Sequence, residues 1–566
     1  MKKIFSILSL VILCAGCHVL DFDETSADYT REDMITDYSN INRLLTNVYG
    51  YMPGKDIADV SSALRDCGSD DAEYADPEAS VQRFTNGNWS AISTVDTKWE
   101  LYGGIRAAND FLELVWDDEA KDIQEKVKEN LSIFRYTSKY NQQMEHLACF
   151  PYEARVLRAY YFFELARRYG DIPMPLVKLT AEEANSIEKT PFDEVISFIV
   201  AECDEAAAHL PNTYVGMLDD EIGRVTKGFA LAVKAKALLY AASPLHNPTG
   251  DKSKWQKAAA AKAIMDMNYY QLDPAEKANN YTSPEVVLAI ARSESQSFEK
   301  YNFPVRFTYG ERTSMAGTYP TQNLVDAFQT ANGYDITLGS NGWVTGDPDF
   351  DVSKPYENRD PRFARAILAN GMAFKGSTIE TFVGGRDYSA TRSDLGTMTG
   401  YYLRRYIIED VDFTPEAKVQ AKHQWIVYRY AEALLSFAEA ANEALGSPTD
   451  ASMGLSALDA LNQVRANAGM PAVAATTQSA FRDAVRREWR VEFAFEDHRF
   501  WDVRRWDIGQ ATQGQIDGVE IVKSGSQFSY SRKTVESRSW SAKMNLFPIP
   551  QSETFCNPNL TQNTGW

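Results

Sequence analysis

One stretch, residues 152–175 (YEARVLRAYYFFELARRYGDIPMP), constrains the fold of this chain more than any other. On a 3.6-residue helix, Ala154, Leu157, Tyr161 and Leu165 fall on one side, and Val156, Tyr160 and Phe163 on the opposite one. Its charges (Glu153, Arg155, Arg158, Glu164, Arg167 and Arg168) are scattered round the wheel instead of forming one polar face. A helix with apolar side chains on opposite sides has to be covered by other helices over most of its girth. Gly170 stops it, and Pro173 and Pro175 prevent a restart. It holds no catalytic chemistry, so it is a landmark for the scaffold alone.

Residues 225–243 (VTKGFALAVKAKALLYAAS) and 425–444 (WIVYRYAEALLSFAEAANEA) repeat the pattern, each followed by an antiparallel partner, at 255–270 and 456–468. Further helices are expected at 38–51, from Trp99 onward, at 192–209, and as a solvated helix at 117–130. Ala-rich helix pairs of this kind read as tetratricopeptide-like repeats, although here they are not contiguous. Residues 281–424 differ, being rich in Gly, Pro and Asn with short strand-like pieces. The expected fold is therefore mostly α: a tetratricopeptide-like helix-pair scaffold with a loop-rich, short-strand-containing variable region. Five parts are expected: a signal segment at 1–16, an acidic arm at 17–40, helical parts at 41–280 and 425–566, and the variable region between them. Low-complexity linkers are absent, so 41–566 is expected to form a single unit.

The net charge of −20 and the lack of any basic stretch disfavour nucleic acid as a partner, and argue weakly against strongly anionic polysaccharides. Aromatic residues make up 12% of the chain; they fill cores, or form flat platforms for ligands with C–H faces, such as sugars. At the N-terminus, Lys2 and Lys3 precede an apolar run at 4–13 that is too short to span a bilayer. It leads into Leu13-Cys14-Ala15-Gly16-Cys17, similar to a bacterial lipobox with Cys17 as the lipidated residue, except that Cys14 stands where Leu is usual. Cys67, Cys149, Cys203 and Cys556 have no C-x-x-C spacing and the six His no H-E-x-x-H pattern, so neither a metal centre nor a cofactor is expected. A disulfide is not assigned; buried thiols are the expected state.

Several motifs run in a recognisable order: Ser69-Asp70-Asp71-Ala72-Glu73, Trp99-Glu100-Leu101-Tyr102-Gly103-Gly104, Tyr169-Gly170-Asp171-Ile172-Pro173, Asn358-Arg359-Asp360-Pro361-Arg362-Phe363, Glu496-Asp497-His498-Arg499-Phe500-Trp501-Asp502 and Phe547-Pro548-Ile549-Pro550. With the lipobox they cover nearly the whole chain, which resembles the SusD/RagB family of outer-membrane glycan-binding lipoproteins. That resemblance implies helices supporting a variable ligand-binding region, a glycan ligand, an outer-membrane location facing the extracellular side, and one face set on a SusC-like TonB-dependent transporter. It also leaves open binders of peptide or protein nutrients.

Glu488, Glu492 and Glu496 fall at i, i+4 and i+8. A glycosidase needs two carboxylates facing each other across a bond. Neighbours on one helix point the same way, so structural pairing is expected, with Arg487, Arg490 and Arg499 at hand. Asp70, Asp71 and Glu73 are read as scaffold, and so are Trp501, Arg504, Arg505 and Trp506. A lipid-anchored glycoside hydrolase remains the enzyme alternative. The candidate glycan platform is Trp89, in a Gly/Asn-rich loop with Arg83, Asn86 and Asn88, where an indole could cover a pyranose face while Arg and Asn bond its hydroxyls. The resemblance adds the segment before Pro320, with Tyr309 and Arg312, and Trp343 is added from a Gly/Asn/Asp loop. Alternation of Val305, Phe307 and Tyr309 also fits a half-buried strand.

Overall fold

The computed structural model describes residues 38–52, 60, 62–115, 138–216, 223–275 and 277–566. The signal segment, Cys17, most of the acidic arm and the expected helix at 117–130 lie outside them.

The landmark stretch is the second half of a long helix. Helix α1 (Tyr38–Tyr49) and α2 (Leu101–Val115) pack on α3 (Ser138–Tyr169), which also packs on α4 (Phe192–His209) and α5 (Lys227–Ala242). Its apolar residues on both sides, Leu157, Tyr161 and Leu165 with Val156 and Phe163, are all completely buried, as two-sided apolar spacing requires. The helix starts earlier than its periodicity suggested and carries Pro151 inside it. It ends where Gly170 takes φ +72°, a left-handed conformation that glycine adopts without Cβ crowding.

The second repeat pair is α5 with α6 (Lys252–Ala258), which continues through a 3-10 turn at Ala259–Ala261 into a short helical turn, so the partner expected over 255–270 is broken. The third pair is α7 (Tyr430–Leu445) with α8 (Ala457–Asn467), followed by α9 (Gln478–Glu492) and α10 (Arg499–Arg505). Here the boundary reading at 425–444 needs correction, because Trp425 to Arg429 are strand. They end a strand at Ala421–Arg429 that pairs antiparallel with Val286–Ser295, Trp425 opposite Ile290. The reason is local: Trp425, Ile426, Val427 and Tyr428 are aromatic or β-branched and suit a pleated surface, whereas the Ala-rich helix formers begin only after Tyr430.

Apolar side chains from Tyr38 to Ile549 form one main core. A second, smaller core of Ala75, Phe303, Phe307, Tyr319, Leu368, Phe374, Ile379, Tyr402, Val411, Phe413 and Ala421 lies under the loop-rich region. Cys67, Cys149 and Cys203 are buried free thiols and Cys556 an exposed one. No described helix is long and apolar enough to cross a membrane.

Between the helices run buried ion pairs. Arg429 Nη1 lies 2.6 Å from both Glu285 and Glu492, and its Nε 2.9 Å from Glu496. Arg362 holds Glu488, Glu492 and Asp360, Arg465 holds Glu488, and Arg405 holds Glu496. The three glutamates are thus structural, as expected, but their cations are not the sequence neighbours. Arg490 and Arg499 go instead to Asp70, at 2.9 and 2.8 Å, and Arg487 to Asp335 at 2.8 Å. Glu496 also lies past the end of α9. Removing one member of such a pair leaves an uncompensated buried charge, which costs about 3–5 kcal/mol.

Candidate functional site

The loops around Tyr309 are tied together by a short strand pairing. Ala72–Tyr74 pairs antiparallel with Thr318–Pro320, Glu73 opposite Tyr319. Antiparallel pairing puts the chain leaving Tyr74 beside the chain entering Thr318. Ala75 N–H accordingly donates to Gly317 O at 3.1 Å. Segment 75–80 is thereby joined to segment 300–317.

A third segment, 387–397, is tied to both. Arg392 pairs with Glu73, and its Nη1 donates to the carbonyls of Tyr74 and Ala75 at 3.3 and 3.0 Å. Tyr319 Oη donates to Leu395 O at 3.2 Å and accepts from Arg312 Nη2 at 2.6 Å. Glu73 is completely buried; burial drives its carboxyl up to about 7, outweighing the pull of Arg392. Asp70 moves the other way: burial opposes its charge, but Arg490 and Arg499 hold it well below the usual carboxylate range.

On this frame Tyr309 stands out. Residues Val305–Thr308 form a 3-10 turn, not the strand their alternation suggested, with Phe307 turned into the second core and the buried Thr308 hydroxyl donating to Val305 O at 2.7 Å. Tyr309 then takes φ +49° and Gly310 φ +85°. This reversal throws the Tyr309 side chain outward, and it is 61% exposed. An exposed ring on a floor fixed by a hydrophobic core is the physical requirement for a stacking platform.

The other expected platform residues are placed differently. Trp89 is only 3% exposed, edge-on to Phe84, Phe547 and Trp566 at ring distances of 4.8, 4.7 and 4.9 Å, so it offers no face to a ligand. Its neighbours in the loop serve the turn: Asn86 Oδ1 accepts from Asn88 N–H at 2.9 Å, and Arg83 Nη1 donates to Thr94 O at 2.7 Å, while Asn86 and Asn88 are exposed. Arg312 is 3% exposed and spends its donors on Phe303 O, Ala316 O and Tyr319 Oη, so it positions the loop and cannot reach a ligand. Trp343 lies on a hairpin (Ile336–Gly339 with Gly342–Thr345), half-buried, with the Arg359 guanidinium 5.5 Å over its ring and Tyr356 at its edge. Among the described residues no ring contact or hydrogen bond joins Trp89 or Trp343 to Tyr309. Tyr309 alone of the expected aromatics is both exposed and on the converging loops.

Sequence reasoning missed Asp76, Glu78, Glu311, Arg392 and Asp394 at this end. Asp76 and Glu78 follow the Asp70-to-Glu73 motif directly and could have been found as its continuation. Arg392 could not, because it joins Glu73 across more than three hundred residues.

Two family models account for most of the chain. Residues 276–566 match the model described as the SusD family, and residues 20–239 one described as starch-binding associating with outer membrane. The chain belongs to the SusD family. Among relatives of this SusD-family chain, SusD-like protein P2 of Formosa agariphila is 23% identical over 420 residues, 73% of this chain and 72% of the relative. SusD-like protein P25 of the same organism is 23% identical over 436 residues, 73% of this chain and 71% of the relative. In structure, the chain is similar to a SusD-like protein from Bacteroides fragilis, with TM-score 0.73, 26% identity and coverage of 94% and 98% of the two chains. It is also similar to a SusD-like carbohydrate-binding protein from the same organism, with TM-score 0.69, 25% identity and coverage of 93% and 100%.

Proposed function

We propose that this chain is a glycan-binding lipoprotein of the outer-membrane surface, held through Cys17, that captures oligosaccharides and delivers them to a SusC-like TonB-dependent transporter. The observation that carries the binding step is Tyr309, an exposed ring on loops fixed by the Ala72–Tyr74 and Thr318–Pro320 pairing. The carbohydrate-binding description of one structural neighbour and the family model's outer-membrane description support the same reading. Binding by one stacked ring and hydrogen bonds in an open, wet site gives modest affinity per site, which suits capture followed by release. No catalytic step is assigned, since Glu488, Glu492 and Glu496 are consumed by arginines and do not oppose one another across a cleft.

The test is retention in affinity gels containing a panel of polysaccharides, with thin-layer analysis for released sugar. The reading expects retention by at least one polymer, lost in Tyr309→Ala, and no sugar release. Equal retention of Tyr309→Ala would remove the platform, release of sugar would favour a hydrolase, and no retention by any polymer would favour a peptide ligand.

A further inference from the structure

We infer that the cavity formed by residues 331–358 is a second saccharide site, separate from Tyr309. This deepens the glycan-binding reading and rests on it.

Two turns build the cavity. In the first, Gly333 takes φ +83° and its N–H donates to Thr330 O at 2.8 Å, while Thr330 N–H donates to Tyr334 O at 2.9 Å. Asn332 is thereby held at the tip. In the second, Asp347-Pro348-Asp349-Phe350-Asp351, the chain is bent by its own aspartates. Asp347 Oδ1 accepts from Asp349 N–H at 3.0 Å, and Asp351 Oδ1 from Ser353 N–H at 2.9 Å. Asn332 joins the two turns, its Nδ2 donating to Asp347 and to Asp349 at 3.2 Å each. Behind them Arg359, almost wholly buried, ties down the carbonyls of Val325, Phe328 and Pro355. The cavity is therefore formed before any ligand arrives, which lowers the ordering cost of binding.

Its volume is about 340 Å³, at the small end of the roughly 300–1,000 Å³ usual for ligand sites. None of its lining residues belongs to segments 75–80, 300–317 or 387–397, so it is no part of the Tyr309 site. Phe350 gives the lining a half-buried ring. Tyr334, 44% exposed, stands beside it, its ring 3.8 Å from where a Cβ on Gly346 would lie. Asn332 and Asn358 can both donate and accept, Asp349 and Asp351 accept, and all four residues are exposed. A ring for a C–H face, with donors and acceptors next to it for hydroxyls, is the chemistry a pyranose requires. The lining's cation, Lys354, lies 3.1 Å from Glu357, and an uncharged sugar needs none. The carboxylates could instead suggest a metal ion, but among the described residues no three such groups are placed to hold one. A small, open site of this kind binds weakly by itself. A polymer repeats its unit, so one glycan can occupy both this cavity and Tyr309 and gain by avidity.

The test starts from a polysaccharide that retains the wild-type chain in affinity gels, and from a short oligosaccharide cut from it. Phe350→Ala removes the ring, and Asp349→Ala, at an exposed position, removes an acceptor. Each is expected to lose about tenfold or more in polymer affinity. An unchanged urea midpoint for Asp349→Ala shows that this loss is not a folding defect. Saturation-transfer NMR with the oligosaccharide then separates the sites. Tyr309→Ala should still give a signal, and Tyr309→Ala combined with Asp349→Ala should give none. The inference is overturned if both cavity variants retain the polymer as the wild type does. It is also overturned if Tyr309→Ala gives no oligosaccharide signal, or if that signal survives the added Asp349→Ala. A polymer lost by the cavity variants but kept by Tyr309→Ala would support this site and remove the Tyr309 platform. If no polysaccharide retains the wild-type chain, the glycan-binding reading falls and takes this inference with it.

Discussion

The helical scaffold and the loop-built end handle charge in opposite ways. In the scaffold, arginine is the hub: Arg429 alone gathers Glu285, Glu492 and Glu496, all almost wholly buried, and joins parts of the chain far apart in sequence. At the Tyr309 end the cations hold loops in place, and the carboxylates Glu78, Glu311 and Asp394 are left facing solvent. The first arrangement fixes one packing of the helices, because any slip would leave a buried charge alone. The second leaves a surface whose chemistry can change while the ties beneath it stay. On the proposed reading, stability and recognition are carried by separate sets of side chains, and substitutions can separate them.

The largest effect is expected at the hub. Arg429→Ala would take the shared cation from three buried carboxylates, leaving Glu285, Glu492 and Glu496 to Lys277, Arg362 and Arg405 alone, and should destabilise the chain by about 3–5 kcal/mol, read as a fall in the urea midpoint. If the loss is under about 1 kcal/mol, the network is solvent-screened and the contrast between the two regions collapses. Trp89→Ala should come next, at about 3–5 kcal/mol before any collapse of the cavity, because Phe84, Phe547 and Trp566 would lose their shared neighbour. Its retention by polysaccharide, measured on the folded protein, should be unchanged; a specific loss of retention would return Trp89 to the binding site.

That pair of residues also shows what the sequence could and could not reveal. The two-sided apolar spacing of 152–175 demanded covering helices, and α1, α2, α4 and α5 cover it. The spacing of Glu488, Glu492 and Glu496 excluded an opposed pair, and all three are ion-paired. Trp89 misled because Gly87, Asn86 and Asn88 signal a turn, and a turn signals exposure only for its own backbone. The residues that bury the indole, Phe547 and Trp566, arrive from the far end of the chain. Local composition carries no information about such partners. Arg312 misled for a related reason, since a guanidinium in a loop looks free until the carbonyls it ties down are placed around it.

A pH titration sharpens the comparison. In the scaffold, burial raises Glu164, but Arg167 and Arg168 more than offset it, leaving its carboxyl at about 2. Its stabilisation of about 3 kcal/mol is present above its unfolded value near 4.5 and is lost as pH falls toward 2. Glu73, raised to about 7 by burial, has the opposite sign. The folded chain gains by holding its proton below the unfolded value near 4.5, and this gain of similar size disappears as pH rises through 7. Glu164→Gln should therefore flatten the acid limb of the stability curve, and Glu73→Gln should make the chain more stable than wild type at pH 8. Urea midpoints across the range check both. A Glu73→Gln variant that is less stable at pH 8 would mean that its pairing with Arg392 outweighs the burial.

The smallest stability effect is expected where the functional effect is greatest. Tyr309 is 61% exposed, and its ring contributes little to either core. Its φ of +49° costs a non-glycine residue about 1–2 kcal/mol. Tyr309→Ala keeps that cost and removes only solvent-facing atoms, so its midpoint should shift by no more than about 0.5 kcal/mol. Tyr309→Gly removes the cost but adds backbone freedom to the unfolded chain, about 0.5–1 kcal/mol, so it too should lie close to wild type. Both should lose polysaccharide retention equally, since neither presents a ring. A loss of stability above about 1 kcal/mol in both variants would show that Tyr309 belongs to the packing, and the separation of scaffold from recognition would fail at the residue on which it most depends.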